Sequence, residues 1–250
     1  MNTISFDIET TGLTADSEVI CVALYDNSID NHCHDVISQD NNTSEELILR
    51  ALCISIEAMN KGVMLVTFNG NNWKGGFDFP LLRTRMHKHG ISWPFSGMMH
   101  VDIYPVIEKR WNTAAAYWQT LDQLLVDELK TMMSVFDINA PAKVKQNYID
   151  IIKSNVDQVG IDMYIQDNFE SKVRDINNLK GAYQIITGKD PGSMDGLESV
   201  KLWTQYKETG DISLLERIRE YNVEDCRKTL ELYEICKVYC SKHDMKPEIL

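Results

Sequence analysis

The sequence lacks any apolar run close to the roughly 18 residues that a membrane-spanning helix needs. Its N-terminus also lacks the basic and apolar regions of an export signal. The six cysteines include no Cys-X-X-Cys pair, so we expect free thiols rather than disulfides or a zinc site. These absences predict a cytoplasmic protein in a reducing compartment, without membrane contact.

Positive charge is scarce as well. The 250 residues contain 25 Lys and Arg against 37 Asp and Glu, which gives a formal net charge of −12. Such a chain is not expected to coat nucleic acid through a broad basic surface. The apolar fraction of 44% is ordinary for a globular protein, and no internal repeat or low-complexity tract is present. We therefore expect a single folded domain over residues 1–250.

Alternating apolar and polar residues predict strands in the first third of the chain. Segments 3–9, 18–25 and 32–38 follow one another through turn-rich connections, which is typical of an antiparallel meander. A capping box at residues 43–46 predicts a helix after them. The continuous apolar run 63–68 then predicts a buried central strand.

Helical patterns dominate the rest of the chain. Apolar residues at helical spacing predict helices over 79–89, 121–129 and 199–207, one helix or two abutting ones over 214–242, and two or more helices within 143–180. Strands followed by helices around a mixed sheet predict an α/β layered domain. The segment at about 143–180 has no counterpart in that scheme, and we expect it to be a helical elaboration.

Two carboxylates share one face of the first predicted strand. Because successive side chains of a strand alternate, Asp7 and Glu9 point to the face opposite the apolar residues of the segment. Like charges this close repel each other unless water or a cation compensates them. An isolated pair of this kind is explained more simply by a solvent-exposed strand, so it indicates a site only in combination with other residues.

Two further aspartates occur on predicted helices. Asp225 lies on the apolar face of the last helix, one turn after Tyr221, and a carboxylate there needs a paired cation or a metal. Ion pairing with Arg227 or Lys228 is the alternative explanation for Asp225. Asp78 precedes a helix after a glycine-rich loop, where an N-cap role would account for it without any further function.

The ordered set of motifs resembles the DEDD superfamily of 3′-to-5′ exonucleases. FDIETTGL (6–13), FNG (68–70) with FDFPLL (77–82), and YNVED (221–225) occur in the superfamily's order. The tyrosine four residues before the last aspartate is similar to the tyrosine subfamily. Further segments, including HVDIYP, resemble the exonuclease domains of family B DNA polymerases and their freestanding prokaryotic relatives.

This resemblance implies an RNase H-like fold, with a mixed sheet that begins with an antiparallel meander and is flanked by helices. It also implies that Asp7, Glu9, Asp78 and Asp225 bind two divalent cations, Mg²⁺ or Mn²⁺, and that Tyr221 orients the attacking water. Hard cations prefer carboxylate oxygens. A pair of them can stabilise both the attacking and the leaving oxygen in phosphodiester hydrolysis.

Six residues are predicted to contact the substrate: Thr10, Leu13, Asn69, Phe77, Lys74 and Arg83. Thr10 and Leu13 match family positions that contact the terminal nucleotide. Phe77 would stack on a base or belong to the core, and Lys74 and Arg83 begin a basic stretch that predicts a phosphate track or a solvated helix face. Asn69 is separated from Asp78 by more residues than is usual in the family, which leaves its family role open.

The predicted function is a metal-dependent 3′-to-5′ exonuclease that acts on single-stranded or frayed DNA. An exoribonuclease is one alternative, because the motifs do not read the 2′-hydroxyl. A non-catalytic nucleic-acid-binding or complex-assembly module is another, although the intact carboxylates argue against it. The acidic chain predicts weak, distributive binding of a 3′ end. We therefore expect a protein partner, such as a polymerase or another replication, repair or defence complex, to supply processivity.

Overall fold

The structure is a computed structural model that describes residues 2–26, 33–59, 62–71, 75–111, 121, 124–169 and 178–250. The chain forms two compact units, one of Met1–Trp111 with Asn178–Leu250 and the other of Asn112–Asn177. No helix within the described ranges is long and apolar enough to cross a membrane. A single domain over residues 1–250 stays a prediction.

The first unit contains a six-stranded mixed sheet. Its strands are β1 (Asn2–Thr10), β2 (Val19–Asp26), β3 (Cys33–Ser38), β4 (Val63–Thr67), β5 (Met99–Asp102) and β6 (Glu248–Ile249), in the order β3-β2-β1-β4-β5-β6. The first three strands are antiparallel neighbours, which confirms the predicted meander. β4 pairs parallel to β1, and β5 pairs parallel to β4. The predicted α/β architecture is therefore confirmed.

The helices follow in chain order as α1 (Glu45–Ala58), α2 (Asp78–Lys88), α3 (Tyr104–Arg110), α4 (Val126–Val135), α5 (Lys145–Asn155), α6 (Gln158–Phe169), α7 (Leu179–Thr187), α8 (Gly196–Thr209) and α9 (Ile212–Tyr239). The first unit contains α1–α3 and α7–α9. The C-terminal pattern, which allowed one helix or two abutting ones, forms a single helix of 28 residues.

Apolar side chains cover both faces of the sheet. On one face, Ile4, Phe6 and Ile8 of β1 pack in a buried cluster with residues of α1 and α2. On the other face, Ala23 of β2 packs in a cluster that includes Cys226 of α9. Asp7 lies opposite Ala23 in the antiparallel register, so the two side chains share a face. The alternation of β1 therefore directs its carboxylates to the side of the sheet that α9 covers.

The capping box predicted at residues 43–46 does not form. Ser44 is the N-cap of α1, but its side chain makes no capping hydrogen bond. The Glu45 carboxylate turns inward instead, where it accepts hydrogen bonds from the Val19 backbone N–H (2.8 Å) and from Arg85 Nε (2.8 Å). Arg85 Nη2 donates to the second oxygen of the same carboxylate at 2.5 Å, so the buried charge of Glu45 is paired. Glu46, the acidic residue of the predicted box, pairs with Arg50 at the surface.

The second unit, within its described residues, is helical. α4, α5 and α6 surround a buried cluster that includes Met132, Ile149, Ile152 and Ile161. The two helices α5 and α6 lie within the range 143–180, where two or more helices were predicted. The helix predicted over 121–129 begins later than expected, with α4. It starts there because Leu125, in extended conformation, is the N-cap and Glu128 Oε2 accepts its backbone N–H at 2.6 Å.

Candidate active site

Three carboxylates from two distant segments converge beside the sheet. Asp7 and Glu9 of β1 and Asp225 of α9 each offer one oxygen, and these oxygen atoms all lie within 4.8 Å of one another. Strand alternation supplies the first two, and the inward face of α9 supplies the third. The arrangement therefore brings together residues that lie at opposite ends of the chain.

Asp78 is the first residue of α2 and is buried. The N-cap interpretation of Asp78 is wrong, because Phe77 occupies that position, and no capping side-chain hydrogen bond forms there among the described residues. The Oδ2 atom of Asp78 has no hydrogen-bond partner among the described residues. Burial raises the pKa of Asp78 well above its usual range, and the charges of Asp7, Asp102 and Glu9 raise it further. Asp78 therefore belongs to the same electrostatic cluster.

The carboxylates of this cluster destabilise one another's ionised forms. Burial raises the pKa of Asp7 well above its usual range, and the charge of Asp225 adds to the effect. Burial and the charge of Asp7 likewise raise the pKa of Glu9. An oxygen-only donor set with mutual repulsion and an unpartnered Asp78 oxygen fits hard divalent cations, which compensate such charge.

Two residues of α9 that the motif pattern did not assign to a site contact the cluster. The fully buried Asn222 donates a hydrogen bond from Nδ2 to Oδ2 of Asp7 at 2.6 Å. Lys228 donates from Nζ to Oδ1 of Asp225 at 2.9 Å. Of the two bases considered as partners of Asp225, Lys228 is the one that pairs with it, and Arg227 pairs with Glu224 instead. The sequence could have indicated Asn222 and Lys228 through their spacing, since each lies one helical turn from Asp225.

Tyr221 faces the cluster from the preceding turn of α9. The Tyr221 hydroxyl interacts with the Asp225 carboxylate strongly enough to affect the pKa of both groups. Burial raises the pKa of Tyr221 above its ordinary value, and the charge of Asp225 raises it further. Lys180 of α7 places its Nζ 5.7 Å from the centre of the Tyr221 ring. Burial raises the pKa of Asp225, and the charge of Lys180 opposes that rise. No sequence motif pointed to Lys180.

Asp102, at the end of β5, is a fifth acidic residue near the cluster that sequence reasoning missed. Its Oδ1 accepts the backbone N–H of Asn69 at 2.9 Å, and its Oδ2 accepts that of Asn71 at 3.0 Å. Asn69 has a positive φ of 65°, and its carbonyl accepts the Phe77 N–H at 2.7 Å. Asp102 thus holds the backbone of Asn69 and Asn71, just after β4.

The predicted substrate-contact residues differ in how exposed they are. The buried Thr10 donates its hydroxyl to the Gly12 carbonyl at 2.6 Å, which shapes the turn after β1. Leu13, in the same turn, is 81% exposed, so its apolar side chain is available for contact. Phe77 is partly buried and packs against the core cluster of α1 and α2. This packing supports a core role for Phe77, and the part of the ring that stays exposed is still open to contact.

The basic residues predicted near Asp78 are only partly described. Arg83 of α2 is exposed, and its Nη1 donates to the Asn71 side chain at 3.2 Å. Its guanidinium also lies 4.6 Å from the centre of the Trp93 ring. Lys74 lies outside the described residues. Arg83 is therefore held at the surface in a position to contact a ligand.

Comparisons with known proteins agree on the fold. A model of the RNase H superfamily matches residues 4–120 and 118–237, which confirms the predicted RNase H-like architecture. Among solved structures, the chain is similar to the family B DNA polymerase from the hyperthermophilic archaeon Pyrobaculum calidifontis, with 14% identity and a TM-score of 0.56. The alignment covers 95% of this chain but only 24% of that polymerase. No curated protein has a matching sequence.

Proposed function

The chain belongs to the RNase H superfamily of nucleases, and on that premise we propose that it is a metal-dependent 3′-to-5′ exonuclease of the tyrosine DEDD type. The observation that carries the proposal is the convergence of Asp7, Glu9 and Asp225, with oxygen atoms within 4.8 Å. The buried, unpartnered Oδ2 of Asp78 supports a fourth ligand in the same cluster. These four residues match the motif order of that exonuclease group.

The proposed site would hold two divalent cations, Mg²⁺ or Mn²⁺. Asp7, Glu9 and Asp225 would hold one ion, and Asp7 with Asp78 would hold the other. When bound, such ions lower the pKa of water and stabilise charge on the leaving oxygen of a phosphodiester. The fold would hold these carboxylates in a binding arrangement before the metal ions bind.

Residues around the carboxylates orient the reacting groups. Burial and the nearby charges of Asp225 and Glu9 raise the pKa of Tyr221, which shows that its phenol lies beside the cluster, where it would position the attacking water. Lys180, beside the Tyr221 ring, supplies a positive charge for the phosphate that is cleaved. Together they place a hydrogen-bonding group and a cation on the same side of the site.

The substrate proposed for this site is the 3′ end of single-stranded or frayed DNA. Leu13 offers exposed apolar surface, and Phe77 offers part of an aromatic ring, contacts that any base can use. Thr10 and Asn69 would hold the terminal nucleotide, and Arg83 and Lys74 would contact phosphates further along the strand. The similarity to a DNA polymerase favours DNA over RNA.

A protein partner is part of the proposal. The net charge of −12 leaves little general attraction for a nucleic-acid backbone. Binding would then depend on the few groups beside the carboxylates, and each encounter would remove few nucleotides. A polymerase or another replication, repair or defence complex that holds the substrate would raise the number of nucleotides removed in each encounter.

The test uses 5′-labelled single-stranded DNA and RNA of one sequence, incubated with Mg²⁺, Mn²⁺ or EDTA. The proposal predicts a ladder shortened from the 3′ end of the DNA, seen only with metal, whereas circular single-stranded DNA stays intact. Faster shortening of the RNA would favour the exoribonuclease alternative. Binding without any cleavage would favour the non-catalytic module, and cleavage of the circle would contradict an exonuclease.

A further inference from the structure

Lys228 of α9 is unusual among helix lysines because its side chain is buried. Its side chain is 1% exposed, and its Nζ donates to Asp225 Oδ1 at 2.9 Å. Lysines commonly extend their ammonium group to water, because burial of an unpaired charge is costly. On the same helix, Lys237 makes the equivalent contact with Glu234 with both side chains about half exposed, at 46% and 48%. The burial of Lys228 is therefore not a general property of such pairs.

The charge of Lys228 reaches beyond its hydrogen-bonding partner. Burial raises the pKa of Asp225, and Lys228 opposes that effect. Lys228 also opposes the rise in the pKa of Asp7, whose carboxylate is held by Asn222. The ammonium group thus acts on two of the proposed metal ligands while it contacts one of them.

Two physical consequences follow from this position. A hydrogen bond to one carboxylate oxygen restricts rotation of the Asp225 side chain, as contacts to metal ligands generally do. A positive charge beside a divalent-cation site also repels the cation and lowers its affinity. The first effect favours catalysis, and the second weakens metal binding.

We infer that Lys228 is a positioning residue that fixes Asp225 as a metal ligand and at the same time lowers the site's affinity for divalent cations. This inference rests on the proposed metal site. Lys228 does not touch the substrate in this account, because it acts through Asp225. If Lys228 only filled the core, its substitution would not be expected to raise metal affinity and lower turnover at the same time.

The experiment compares wild-type protein with K228M, K228R and, as a matched control, K237M. Mn²⁺ binding is measured by titration calorimetry without nucleic acid, and turnover is measured on single-stranded DNA at saturating Mn²⁺. K228M should bind Mn²⁺ about fivefold or more tightly, since the repelling charge is gone. Its kcat should fall about 10- to 100-fold, with little change in the KM for DNA, because Asp225 is no longer held.

The conservative variants sharpen the result. K228R keeps the charge and donors, so it should resemble the wild type more closely than K228M does, and K237M should match the wild type in both measurements. If circular dichroism shows that K228M is unfolded, K228Q takes its place. It keeps a donor without the charge, and should bind Mn²⁺ more tightly than the wild type with a smaller loss of kcat.

Two outcomes contradict the inference in distinguishable ways. Unchanged or weaker Mn²⁺ binding by a folded, uncharged variant, or an unchanged kcat for K228M, would overturn the role of Lys228 and leave the proposed function intact. A wild-type protein that binds no Mn²⁺ would overturn the proposed metal site itself, and the inference with it.

Discussion

Asn222 of α9 donates a 2.6 Å hydrogen bond to the Asp7 carboxylate of β1. Asn222 is fully buried, and its Oδ1 has no partner among the described residues. The bond therefore accounts for the placement of this amide in the interior. Because Asn222 lies between Tyr221 and Asp225, it also fixes the register of α9 against the strand that carries the other carboxylates.

Loss of this bond should impair catalysis. N222A leaves Asp7 without its amide donor, so we expect kcat on single-stranded DNA to fall about 10- to 100-fold, the range typical for groups that orient metal ligands. The measurement is the initial rate at saturating Mn²⁺. N155A, which alters an exposed asparagine of α5, serves as the control. Full activity of N222A would show that the bond has no part in the site.

The hydroxyl of Tyr221 should matter without titrating. Burial and the charge of Asp225 raise its pKa, so the phenol stays protonated in ordinary assay buffers. We expect Y221F to lower kcat by about 10-fold or more, while the pH–rate profile keeps its shape between about pH 6 and pH 9. Y239F, at an exposed tyrosine, is the control. If the wild-type rate changed at high pH and this change were absent from the Y221F profile, Tyr221 would ionise during turnover.

Stability should depend on Glu45 far more than on its neighbour Glu46. E45A leaves the buried Arg85 without its partner, and we expect the free energy of unfolding to fall by about 3–5 kcal/mol in urea titrations. E46A removes only an exposed pair with Arg50, for which a change below about 1 kcal/mol is expected. Similar losses for both variants would contradict the buried pair.

The same residue gives stability a defined pH dependence. Burial opposes ionisation of Glu45, but hydrogen bonds from Arg85 and the Val19 N–H outweigh it and lower its pKa. The Glu45 contribution is therefore fully present above the carboxyl group's ordinary pKa and is lost as the pH falls through the lower folded value. The wild-type and E45A unfolding curves should converge in acid.

Divalent cations should stabilise the folded chain. They bind the carboxylate cluster only in the native state, and at about 100 times the Kd they should add about 2.7 kcal/mol to the free energy of unfolding. We expect a higher Tm in Mn²⁺ than in EDTA, and most of this difference should disappear in D7N. An equal Tm in both buffers would argue against a native metal site.

Much of the fold could be predicted because its signals are local. Alternation gave the meander and the run 63–68 gave β4, since both patterns lie within single strands. β5 and β6 were missed because strands of four and two residues carry little pattern of their own. The capping predictions at residues 43–46 and at Asp78 were wrong because the residue at which each helix begins depends on the packed chain and not on the local motif.

The candidate site divides in the same way. Asp7, Glu9, Asp78 and Asp225 could be singled out because residue type and motif order carry that information. Lys180 and Asp102 could not, because only the folded chain places them beside the cluster. Lys228 was visible merely as one of two bases near Asp225, and its burial, which distinguishes it from Arg227, is a property of the packed helix.

The most direct test of the proposed exonuclease site compares D225N with E234Q on 5′-labelled single-stranded DNA in Mn²⁺. Both variants neutralise one acidic residue of α9, but Glu234 lies outside the cluster and pairs with Lys237 at the surface. We predict that wild type and E234Q give the same ladder from the 3′ end, and that D225N is slower by about 1000-fold, because a metal ligand is lost. Equal ladders from D225N and E234Q would contradict the account.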